Sequence, residues 1–197
     1  MKKTISKEEY TYDNYIEDIK FYWATSPFEN TFQRVVENVL KDTIRSTDIK
    51  LIISDRFPRC NTKSHCVSGY KENGTASPDL LLAKDFRYGN SKEKGKMDEE
   101  LSEVEICVHV EVKMPEIIKF EKGKIKYTKH DKNQIETYLK HPRTCKIIFT
   151  DLYTWIFYEG CLKPKKVIKL REGEWNQESW IEFRRFLGEF VFGGKDK

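Results

Sequence analysis

Ile106-Cys107-Val108-His109-Val110-Glu111-Val112-Lys113, closed by Met114-Pro115, is the stretch whose reading decides the fold. Side chains alternate along a strand. Ile106, Val108 and Val110 therefore fall on one face, and His109, Glu111 and Lys113 on the other. The spacing predicts a strand over 104–113, with an acid and a base standing together at the end of an apolar run. Pro115 ends it.

Working outward, Asp79-Leu80-Leu81-Leu82-Ala83 reads as a second strand, with Val67 to Tyr70 and an Asn73-Gly74 hairpin turn before it. Ile49, Leu51, Ile52 and Ile53 form a third strand. Ahead of these, Phe32, Val35, Val36, Val39, Leu40 and Ile44 recur at helical spacing, predicting a helix over 27–45. Ser26-Pro27-Phe28-Glu29 reads as its capping box. Aromatic and apolar residues from Tyr10 to Trp23 suggest a further helix. Downstream, a helix is expected over 130–140, stopped by His141-Pro142. Strands at 145–150, 154–158 and 167–170 follow, then an amphipathic helix over 178–192 terminated by Gly193-Gly194. Helices at both ends of a group of strands make an α/β or α+β domain.

The chain has 197 residues, 36 Lys+Arg against 32 Asp+Glu, and a net charge of +4. One domain spanning 1–197 is the expectation at this length. A hydrophobic fraction of 38% is enough to bury a core, which argues against wholesale disorder. No run approaches a membrane span, and the start has no apolar signal core. The odd, scattered cysteines are unlike a secreted disulfide framework. A reduced, cytoplasmic protein is expected. From Lys92 to Glu100, seven of nine residues are charged, as in a loop between strands. Cys60, His65 and Cys66 lack further zinc ligands at suitable spacing and read as ordinary loop residues.

If the Asp79 strand lies beside the Glu111 strand, two carboxylates and an ammonium converge at the strand ends. Mg²⁺ takes oxygen ligands, commonly one or two carboxylates plus water and substrate phosphate. A bound cation acidifies water and neutralises phosphoryl charge, and a lysine nearby can hold the attacking water or the phosphate.

Ser77-Pro78-Asp79 and Val110-Glu111-Val112-Lys113 resemble the motif of the PD-(D/E)xK nuclease superfamily. Gln134-Ile135-Glu136-Thr137-Tyr138 resembles the Q-x-x-x-Y element of the branch that includes type I restriction subunit nuclease domains and RecB-like enzymes. Glu111-Val112-Lys113 is the only Glu-x-Lys and Pro78-Asp79 the only Pro-Asp in the chain. The resemblance covers about 27–158 and implies a restriction-endonuclease-like α-β-β-β-α-β core, its central mixed sheet flanked by helices. It implies Asp79, Glu111 and the Val112 carbonyl as ligands of Mg²⁺, with Mn²⁺ substituting. Lys113 is then the catalytic lysine. Gln134 reaches into the site, and Tyr138 contacts DNA backbone or braces the site. A first-helix glutamate often completes such sites; Glu37 is the first candidate and Glu29 the second.

Between Lys119 and Lys132, basic residues interleave with Phe120 and Tyr127, and Lys124, Lys126, Lys129 and His130 are candidates for phosphate contact. The expected activity is that of a Mg²⁺-dependent DNA endonuclease in restriction, defence or mobile-element processing. It lacks a P-loop and so acts alone, as a homodimer, or with a helicase or other partner. Two rivals stand beside it. One is a non-cleaving nucleic-acid-binding module on the same fold. The other is an interaction protein whose Trp175, Trp180, Phe183, Phe186 and Phe190 dock on another chain.

Overall fold

The computed structural model describes residues 9–53, 78–84, 105–140 and 144–193. Two helices come first, α1 (Tyr12–Thr25) and α2 (Glu29–Thr43). Thr11 caps α1 by accepting from the Asn14 N–H while the Asn14 side chain accepts from the Thr11 N–H. The capping box expected at Ser26 does not form. Ser26 closes α1 through its N–H to the Tyr22 carbonyl, and Phe28 stands at the N-cap of α2 with no side-chain cap. The short connection leaves Ser26 to end one helix, so it cannot also cap the next.

A six-stranded mixed sheet follows, built from β1 (Lys50–Ile53), β2 (Leu80–Lys84), β3 (Glu105–Val112), β6 (Lys146–Thr150), β7 (Thr154–Glu159) and β8 (Lys166–Lys169), in that spatial order. Only β3 and β6 run parallel; the other neighbours are antiparallel. A parallel pair needs a crossover. Here the connection carries a hairpin of β4 (Lys119–Glu121) and β5 (Lys124–Lys126), then α3 (Lys129–Leu139). Lys122 and Gly123 both have positive φ, the backbone that a two-residue hairpin turn requires. A small ribbon of β9 (Arg171–Glu172) and β10 (Glu174–Trp175) leads into α4 (Gln177–Phe192). The described residues thus form a mixed α/β structure with four helices, and no described helix is long and apolar enough to cross a membrane.

Each sheet face has its own core. Tyr15, Phe32, Val36, Val110, Ile148, Trp155 and Phe183 belong to one, beneath α1, α2 and α4. Leu81, Ile135, Tyr138, Ile147 and Phe149 belong to the other, beneath α3 and the hairpin. Trp155 and Phe183 meet at a tilt with ring centres 4.4 Å apart, and Phe157 meets Phe190 at 5.1 Å. The apolar side of the last helix therefore covers this domain's own sheet. Gly193 caps its end, at a position where a Cβ would collide with the Glu189 carbonyl oxygen.

One alternation differs from the sequence reading. Leu82 pairs with Val108 and Ala83 with Ile106, leaving Cys107 as an extra residue in the ladder. This bulge switches faces, so Ile106 packs in the α3-side core while Val108 and Val110 pack on the opposite side. Beyond the bulge the alternation is regular, and it carries His109 and Glu111 to the α3 side. The expected Val67–Tyr70 strand, Asn73-Gly74 turn, Lys92–Glu100 loop, Cys60/His65/Cys66 group and His141-Pro142 stop lie outside the described residues.

Candidate active site

The pairing of Leu80 with Val110 brings Asp79, one residue before β2, beside Glu111 near the end of β3. Asp79 Oδ2 accepts the Val112 N–H at 2.7 Å. Burial and the neighbouring Glu111 carboxylate push the Asp79 carboxyl up to about 8, with the Val112 N–H and Lys113 pulling the other way. Both causes disfavour a second negative charge in this corner.

Glu111 is held on every side. Its Oε1 accepts from Lys113 Nζ at 2.7 Å and from Gln134 Nε2 at 2.9 Å, and its Oε2 accepts from the Tyr138 hydroxyl at 2.9 Å. Gln134 Oε1 in turn accepts from Lys113 Nζ at 3.2 Å. One amide therefore bridges the acid and the base. Gln134 and Tyr138 reach Glu111 together because residues four apart share a helix face.

Lys113 lies just past β3, and its N–H donates to the Thr150 carbonyl at 2.8 Å, extending the strand's pairing with β6. A lysine at a strand end is ordinarily exposed; the structure buries this one to 8% exposure, between β3 and the first turns of α3. Burial alone would lower its pKa, but Glu111, Glu29 and Asp131 outweigh that and hold it above its ordinary value. Asp131 is a site residue that the sequence reading missed. Its Oδ1 stands 3.8 Å from Lys113 Nζ. Its N–H donates to Thr128, the α3 cap, so the spacing Thr128-x-x-Asp131 was the available signal.

The first-helix glutamate of this corner is Glu29, the second candidate. It lines the same cavity as Asp79; partial desolvation raises its pKa, Lys113 lowers it, and Glu111 and Asp131 push it up again. Glu37 is not brought there. It lies two turns further along α2 and pairs with Lys41 at 2.9 Å. Tyr138 is fully buried, so of its two expected roles the geometry fits bracing and not backbone contact. His109 is buried as well, its ring 5.4 Å from that of Tyr138. Lys124, Lys126, Lys129 and His130 are all solvent-exposed, on the hairpin and the first turn of α3.

A cavity of about 310 Å³ opens beside Asp79 and Val112, walled by Glu29, Asn30 and Gln33 of α2. Among the described residues, no group of three or more His, Cys, Asp or Glu side chains is arranged as a ready metal cage. The donor set still suits one hard cation. Asp79 and Glu111 repel each other at close quarters, a conflict that a divalent ion relieves, and Mg²⁺ needs only one or two carboxylates. Comparison with known proteins finds no matching family model, no matching curated protein and no matching solved structure.

Proposed function

We propose that this protein is a Mg²⁺-dependent nuclease hydrolysing phosphodiester bonds in DNA, on a restriction-endonuclease-like core of the PD-(D/E)xK type. The observation that carries the reading is the meeting of Asp79, Glu111, Lys113 and Gln134 at the ends of two adjacent strands. A surface ion pair would not need a half-buried amide joined to both partners and a buried tyrosine fixing the carboxylate.

Asp79, Glu111 and the Val112 carbonyl would hold the cation, for which Mn²⁺ would substitute. When bound, it supplies charge neutralisation at the phosphate and a more acidic water. Lys113 contributes a fixed positive charge and N–H donors toward the phosphate or the attacking water. Gln134 holds the Lys113 ammonium in place, and Tyr138 sets the Glu111 rotamer. Both act before substrate arrives, which is what preorganisation requires. The exposed lysines of the β4–β5 hairpin and His130 lie on the α3 side, where the DNA backbone would run.

The test is cleavage by the purified protein of single- and double-stranded DNA in Mg²⁺, in Mn²⁺ and in EDTA. Cleavage is expected with either cation and absent in EDTA. Lys113→Ala, checked for folding by circular dichroism, should lose about 10²–10³-fold in rate, the usual loss for one transition-state donor. Undiminished cleavage in that variant or in EDTA refutes the proposal. Binding without any cleavage favours the non-cleaving module.

A further inference from the structure

Gln33 lies in the second turn of α2 and is 5% exposed, yet its side-chain Nε2 has no hydrogen-bond partner among the described residues. Buried amide donors are nearly always satisfied, so an orphan on a cavity wall points to something that enters the cavity. Glu29 and Asn30, one turn earlier, are exposed at the rim, which places Gln33 at the floor. The walls carry two carboxyls (Glu29 and Asp79) and two amides (Asn30 and Gln33).

That composition discriminates between occupants. A phosphate offers only acceptors and negative charge, and it would face Glu29 and Asp79. A nucleobase is neutral and offers donors and acceptors on one edge, which Asn and Gln side chains match. At about 310 Å³ the cavity is at the small end of ligand pockets, a size suited to a single ring system. Phe28, immediately before Glu29 in the chain, is 65% exposed, and an exposed aromatic ring is a surface on which a base can stack.

We propose that this cavity receives one unstacked nucleobase of the DNA strand, next to the scissile phosphate, and that Gln33 donates to its edge. The inference rests on the nuclease reading and deepens it. A base inside a duplex cannot reach such a pocket without leaving the stack. The substrate class is therefore single-stranded DNA or a frayed end, and Gln33 is a positioning residue.

An abasic scan tests this. A short single-stranded oligodeoxynucleotide carries one abasic site at successive positions, and its affinity is measured in Ca²⁺ by fluorescence anisotropy. With the unaltered protein, one position should lose about three- to tenfold in affinity, the worth of one hydrogen bond with its contacts. With Gln33→Met the loss at that position should fall below about twofold, because the base and the amide form one coupled pair. Asn30→Ala, at an exposed rim position, should reduce the same penalty and no other, and it serves if Gln33→Met fails to fold. Equal abasic penalties in the variants and the unaltered protein, with cleavage intact, overturn the inference alone and leave the amide holding a water. No DNA binding at all overturns the nuclease reading with it.

Discussion

Asp79→Asn isolates the electrostatic conflict at the centre of the site. In the folded protein the Asp79 carboxyl is pushed up to about 8 from an ordinary value of 3.8. The native state thus holds a proton that the unfolded chain releases at lower pH. Stability from this group is complete below about pH 4 and is lost as pH rises through about 8. The full shift, about four units at 1.36 kcal/mol each, sets a ceiling of about 5–6 kcal/mol. Asp79 is only half-buried, so water and the adjacent Lys113 reduce the expected loss by pH 8.5 to about 1–3 kcal/mol. Asparagine cannot ionise, yet its Oδ1 can still accept the Val112 N–H. The variant should therefore be more stable than the parent at pH 8.5 without metal, by about 2–10 °C in Tm for a domain of this size.

Asp151 must be separated from this. Burial pushes its carboxyl up to about 6, against the pull of N–H donors from Ile118 and Thr154. The same sign applies, so Asp151 contributes a loss of stability between about pH 4 and 6, and the interval from about 6 to 8 belongs to Asp79 alone. Thermal melts of both proteins across pH 5–9, with EDTA and with Mg²⁺, read the effect. The parent should lose stability above pH 6 and regain it with Mg²⁺, since a ligand that binds only the folded state stabilises it by mass action. The variant should have a flatter profile and little response to Mg²⁺. A variant that melts lower than the parent at pH 8.5, or that keeps the parent's slope above pH 6, would show that the two carboxylates do not oppose each other.

Tyr138→Phe removes a buried hydroxyl bond to a charged oxygen of Glu111 and should cost about 1.5–3 kcal/mol, seen as a lower midpoint in urea with an unchanged m-value. An unchanged midpoint would remove the bracing role. Replacing Lys124, Lys126 and Lys129 with Ala should flatten the log–log salt dependence of DNA binding, by about 0.7 on single strands or about 0.9 on duplex for each lysine that neutralises a phosphate, and an unchanged slope would place the DNA elsewhere.

Much of this site is legible in the sequence because its parts follow fixed local periods. Two-residue alternation puts Glu111 on the α3 side of β3, and four-residue helical spacing puts Gln134 and Tyr138 onto it together. The stripe of α2 that faces the strand ends is legible too, since Glu29, Gln33 and Glu37 are four apart. Periodicity defines a stripe and not a depth along it. Which turn of α2 meets the ends of β2 and β3 depends on how helix and sheet slide against each other, and so Glu29 is found where Glu37 was the first choice. The bulge at Cys107 is invisible for a related reason, because one unpaired residue changes no composition and no spacing outside the ladder. Lys113 reads as an exposed strand-end charge until α3 folds back over it.

What resists a purely structural explanation is where the conflicts gather. Elsewhere, buried polar groups such as Asp151, Thr150 and the Tyr15 hydroxyl are engaged in hydrogen bonds that tie the turn between β6 and β7 to its neighbours. At the ends of β2 and β3 the pattern reverses. Asp79 and Glu111 confront each other, with Glu29 and Asp131 adding to the negative field around one lysine, and the nearby Gln33 Nε2 has no hydrogen-bond partner among the described residues. Hydrophobic replacements of similar volume would relieve most of these costs, since a buried ionic cluster is weak evidence of stability. Sequences that fold well violate local rules mainly where function requires it. Here the violations fall together in one corner, at the ends of β2 and β3, where the proposed cation and nucleotide would sit.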